Sequence, residues 1–82
     1  MSDKNRTWNY RVIEFVTPGG EPWRSIHEVH YVDEVPIAYS ESPACIVWDV
    51  DEGYSAALFT LKRMRKALDK PVLVEADFKE GV

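Results

Sequence analysis

The residues with the most chemical potential in this chain are His27, Glu28 and His30, which stand close together in sequence. Imidazoles and carboxylates at such short spacing could hold a metal ion or move a proton. In an extended strand, however, residues three apart project from opposite faces, so His27 and His30 cannot chelate one ion together. Glu28 and His30 do share a face, about 7 Å apart at ~3.3 Å per residue. Further donors would have to come from Glu14 or Asp33. With two His and one Cys in the whole chain, zinc-type ligand spacing is missing. The expectation is ordinary strand histidines, with no metal and no cofactor.

Other constellations resolve the same way. Ser25 or Ser55 with His27 and Glu28 supplies the residue types of a nucleophilic triad, but no G-x-S-x-G or equivalent turn accompanies them. Gly19-Gly20 lies between Pro18 and Pro22, which suits a tight turn; a phosphate-cradling loop would sit between a strand and a helix. Asp49, Asp51 and Glu52 open like a calcium loop, yet no glutamate follows at its twelfth position, and helix capping accounts for them better. Cys45, the single cysteine, is flanked by Ala44 and Ile46. It cannot form an intramolecular disulfide and reads as a small buried hydrophobe. No arrangement of residues supports an enzyme.

Charge is unevenly spread over the 82 residues, whose formal net charge is −4. Residues 1–61 balance at −6, residues 62–70 at +4, and residues 71–82 at −2. The basic residues Lys62, Arg63, Arg65 and Lys66 form a candidate patch for phosphates or an acidic protein. The acidic remainder would repel a polyanion at long range, which disfavours nucleic acid and favours a solvated helix face. Aromatic residues are the richer lead. Three Trp and four Tyr are many for so small a core. Trp8, Tyr10, Trp23 and Tyr31 form the candidate interaction surface, because Trp and Tyr combine contact area with a polar handle. No apolar run reaches the ~18 residues of a membrane span, and the polar start lacks a signal-peptide core, so the expectation is a cytoplasmic chain with no membrane partner.

These side chains must be carried by a small set of elements. Trp8–Thr17 and Trp23–Val32 are rich in aromatic and β-branched residues and read as strands joined across Pro18–Pro22 into a hairpin. Neither face of the first strand is cleanly polar, so both need covering. Asp33–Pro36 supplies a turn. A third strand falls either at Ile37–Tyr39 or at Ala44–Trp48, and the pattern leaves both open. A helix starts at Asp49 or Asp51 and ends before Pro71. Its apolar stripe of Tyr54, Ala57, Leu58, Leu61, Met64 or Arg65, and Leu68 should pack on the sheet. Val72–Val74 then adds an edge strand or crosses the core. The expected fold is α+β: a three-stranded antiparallel sheet, four-stranded with that edge, packed by one C-terminal amphipathic helix. Residues 1–7 are expected as a flexible leader, 8–78 as a single domain and 79–82 as a flexible tail.

Three segments together carry a resemblance: WNYRV from Trp8, IHEVHY from Ile26 and MRKALDKPVL from Met64. They resemble a group of short, uncharacterised bacterial proteins built on NYR-I/V, IHEVYY-D and A-L-x-x-P-V-L. The similarity covers roughly residues 8–78. His30 stands where that group often has Tyr, and Asp33–Pro36 replaces its usual turn. The resemblance implies a small compact fold and no activity, so no functional residue is carried over. Taken together, the residues point to a non-enzymatic protein–protein interaction domain whose partner is another protein or a second copy of the chain. The alternative is a nucleic-acid-associated accessory protein using residues 62–66.

Overall fold

In a computed structural model describing residues 4–78, the first two strands form a long hairpin. They are β1 (Arg6–Val16) and β2 (Pro22–Val32), in a register that pairs Trp8 with His30, Val12 with Ile26 and Phe15 with Trp23. The turn closes through Gly20 N–H to the Thr17 carbonyl at 2.8 Å, with Gly20 at φ 88°, a conformation open to glycine at no steric cost. Strand β1 begins two residues earlier than its aromatic run suggests. The Asn5 N–H donates to Asp33 Oδ1 at 3.0 Å, and the Asp33 N–H donates back to the Asn5 carbonyl at 2.8 Å. Part of the expected leader is thus tied down, whereas residues 1–3 and 79–82 lie outside the described residues.

Asp33 and Glu34 both adopt positive φ, at 49° and 68°, and turn the chain tightly from β2 into β3 (Val35–Tyr39). Positive φ at both central residues is the requirement of a tight two-residue hairpin, met here without glycine. Of the two segments left open for the third strand, Ile37–Tyr39 lies in β3, which begins two residues earlier at Val35 within the expected turn, and Ala44–Trp48 forms no strand. Pro36 is tolerated because β3 is an edge strand, and the register shifts by a bulge opposite His30 and Tyr31. Beyond β3 the chain holds to β2 through single bonds, Ser40 N–H to the Glu28 carbonyl at 3.0 Å and Ala44 N–H to the Ile26 carbonyl at 2.8 Å.

After a short 3₁₀ turn at Val50–Glu52 comes α1 (Gly53–Ala67). The Glu52 carboxylate accepts from the Asp49 N–H at 2.9 Å, half of the capping box that Asp49 and Glu52 suggest. The chain leaves α1 through Leu68–Lys70 and forms β4 (Leu73–Val74), followed by a 3₁₀ turn at Glu75–Asp77. The strand order is β3-β2-β1-β4, and β4 runs parallel to β1. The sheet is therefore mixed, and the expectation of an antiparallel sheet is corrected at this edge. The cause is where α1 delivers the chain. An Arg11 guanidinium nitrogen donates to the Pro71 carbonyl at 2.7 Å, so the chain comes down beside Arg11 and continues in β1's own direction.

The core is thin. Val12, Ile13, Val29 and Val32 from the sheet and Ala57, Met64 and Ala67 from α1 are its buried apolar side chains among the described residues. One sheet face carries Phe15, His27 and Tyr39 in a chain of ring contacts at 5.4 to 5.7 Å, closed by Phe78 on Tyr39 at 4.9 Å. The other carries Trp8, Tyr10 and Val12, and α1 rests on β1 there. Among the described residues no helix is long and apolar enough to cross a membrane.

Candidate docking surface

Helix α1 sits with an unexpected face inward. The stripe that meets β1 is Ala57, Thr60, Met64 and Ala67, mostly small residues that let the helix approach closely. Its large apolar residues point outward: Tyr54 is 79% exposed, Leu58 55%, Leu61 45% and Leu68 66%. The expected stripe contains the outer set together with Ala57 and Met64, and tertiary packing rotates the helix so that Thr60 and Ala67, absent from that stripe, join those two against the sheet. Phe59 is also exposed, on a neighbouring row.

The outer stripe continues at both ends. Before the helix, Ile46, Val47, Trp48 and Val50 join Tyr54 in lining an open groove of about 540 Å³. Trp48 and Tyr54 meet edge to face, with ring centroids 6.2 Å apart. Beyond the helix, Leu68 and Val72 line a second groove, of about 280 Å³, with Val12 and Ile26. Cys45 lies in the same connecting segment and is exposed. Its expected burial is corrected, because residues 43–49 form no strand and leave the sheet edge at Ala44.

The aromatic residues singled out from sequence lie elsewhere. Trp8 and Tyr10 meet edge to face at 5.3 Å, and the Arg63 guanidinium lies 4.2 Å from the Trp8 ring centre and 5.4 Å from that of Tyr10. Trp23 stacks on Phe15 at 5.0 Å at the hairpin end. The Tyr31 hydroxyl donates to Asn9 Oδ1 at 2.7 Å and accepts from Arg11 at 3.1 Å. These residues are divided between both sheet faces and engaged with their neighbours. The basic residues are divided too. Arg63 is half-buried against the aromatics, Arg65 interrupts the outer apolar stripe, and Lys62 and Lys66 occupy an exposed row one turn apart.

The titratable groups are similarly committed. His27 is buried, with Nδ1 2.8 Å from the Ser40 carbonyl and Nε2 2.9 Å from Ser25 Oγ. A carbonyl can only accept, so Nδ1–H donates to it and Nε2 accepts from the serine hydroxyl. Both nitrogens are used, and no face of the ring is open to a substrate. His30 projects from the opposite face beside Trp8, with Nε2 4.0 Å from the Glu28 carboxylate. Among the described residues no three His, Cys, Asp or Glu side chains are grouped to hold a metal ion. Among the described residues Tyr39 is perturbed: burial, then its hydrogen bond to Glu75 at 3.0 Å and that carboxylate's charge, hold the phenol above its ordinary range.

Compared with models of known protein families, with curated proteins and with solved structures, the chain matches none.

The outward stripe left a faint mark in the sequence. Tyr54, Leu58, Leu61, Arg65 and Leu68 are spaced four, three, four and three apart, a repeat close to that of helix–helix seams. Side-chain size makes the leucines look like core, and nothing local says which of two overlapping stripes meets the sheet.

Proposed function

We propose that this chain is a non-enzymatic interaction domain that binds through the outer face of α1 and the Ile46–Val50 segment before it. The observation that carries this reading is the row of large apolar side chains on α1 turned away from the chain's own core. Contiguous exposed apolar surface of this kind marks interaction sites, whereas scattered apolar residues do not. The sheet aromatics act as the scaffold that sets the helix in place. Strand-edge recruitment has less support, since β3 carries Pro36 and a bulge and β4 is two residues long. The basic row supports nucleic acid less well than the sequence alone allows, because Arg63 is drawn inward onto Trp8.

The test is a triple variant, Leu58→Glu, Leu61→Gln and Leu68→Lys, which replaces the outer stripe with good helix formers. Circular dichroism of the variant is expected to match the original chain, and its association with itself or a partner to be lost. A variant that loses its secondary structure would show that the stripe belongs to the core and would overturn the docking surface.

A further inference from the structure

We propose, building on that reading, that the partner on this face is a second copy of the chain, with the two α1 helices packed antiparallel about a two-fold axis at Leu61. Three features converge on it. The seam Tyr54, Leu58, Leu61, Arg65, Leu68 averages 3.5 residues per step, the repeat that keeps apolar residues facing a partner helix over several turns. Its ends lie seven residues either side of Leu61, so an isologous pair sets Leu61 against itself and Tyr54 of one copy against Leu68 of the other. Tyr54 then enters the groove that Leu68 lines with Val12, Ile26 and Val72.

Charge selects the antiparallel arrangement. The N-terminal end of the helical segment carries Asp49, Asp51 and Glu52, and the C-terminal end carries Arg65, Lys66 and Lys70 against Asp69. An antiparallel pair brings acidic end to basic end twice and opposes the helix dipoles; a parallel pair sets like charges together. Arg65 thereby has a reason to stand in an apolar seam, since its long side chain reaches the acidic end of the other copy.

Area agrees. The chain exposes 6346 Å², where a compact monomer of its mass exposes about 5000 Å². Large exposed apolar side chains on the outer α1 face and in the Ile46–Val50 segment contribute to that surplus.

Sedimentation equilibrium of the full chain over a wide concentration range tests this directly. The expected result is a reversible species of twice the 9.5 kDa chain mass. Leu61→Arg puts two like charges on the axis and should raise the dissociation constant about a hundredfold or more, because each change occurs twice. Asp51→Lys alone should weaken pairing, and Asp51→Lys with Lys70→Asp should restore it. For orientation, in a Cys45→Ser background with oxidised glutathione, Leu61→Cys is expected to close a disulfide across the axis while Tyr54→Cys does not. A Tyr54→Cys disulfide would overturn the antiparallel arrangement. A chain that stays monomeric throughout, while the triple polar variant still folds, would overturn self-pairing and leave the same face to a different protein. Unfolding of the triple variant overturns the docking surface itself, so the two failures are distinguishable.

Discussion

Tyr39 stands where the sheet and the C-terminal segment meet, with its ring against Phe78 and its hydroxyl donating to Glu75. Ionising that phenol would place a negative oxygen beside a carboxylate in a partly dehydrated position, so its titration lies above 10.0. The sign follows. The folded state holds the proton more tightly than the unfolded chain, so the stabilising contribution is complete below pH ~10 and is lost as pH rises through the folded value. Tyrosinate absorbance during alkaline titration should show one of the four tyrosines ionising after the rest. Glu75→Gln should bring it part of the way back, since burial, the larger cause, remains. His27 shows how residue-level chemistry is absorbed by structure. The ring that the sequence offers for acid–base work spends both nitrogens on Ser25 and Ser40. Arg63 is a parallel case, a member of a basic run whose guanidinium lies over the Trp8 ring.

At the scale of elements, local rules account for the hairpin, both turns and the limits of the helix. Gly20 takes the positive φ, Pro36 falls on an edge, and Pro71 lies just beyond the last helical turn. Two features were not legible in this way. The rotation of α1 depends on how near the helix can approach β1, which the small residues Ala57 and Ala67 decide and no window of sequence reports. The parallel pairing of Leu73–Val74 depends on where the chain emerges beside Arg11. The first point is testable. Ala67 is fully buried, so Ala67→Leu should lower stability in urea denaturation by about 1–3 kcal/mol through overpacking. Lys62→Leu, on the same helix but at an exposed position, should stay within about 0.5 kcal/mol.

The whole molecule is loosely gathered for its length. Its radius of gyration is 14.7 Å, against about 12 Å for a compact chain of this size. One helix leaning on one strand buries few large side chains, and much of the apolar surface left over lies on that helix and on the Ile46–Val50 segment before it. If two copies share it, stability depends on concentration, since pairing draws on the folded state alone. The thermal midpoint should therefore rise with chain concentration, and the Leu61→Arg chain should melt at one temperature regardless of dilution. The amino-acid sequence by itself determined the α+β class, the hairpin, the turns and the end of the helix before Pro71, because each rests on interactions between near neighbours. Tertiary structure alone decided that the helix turns its leucines outward, that Cys45 is exposed and that the last strand runs parallel. Each depends on which surfaces reach one another across the fold, and two overlapping stripes of one helix look the same until a strand occupies one of them.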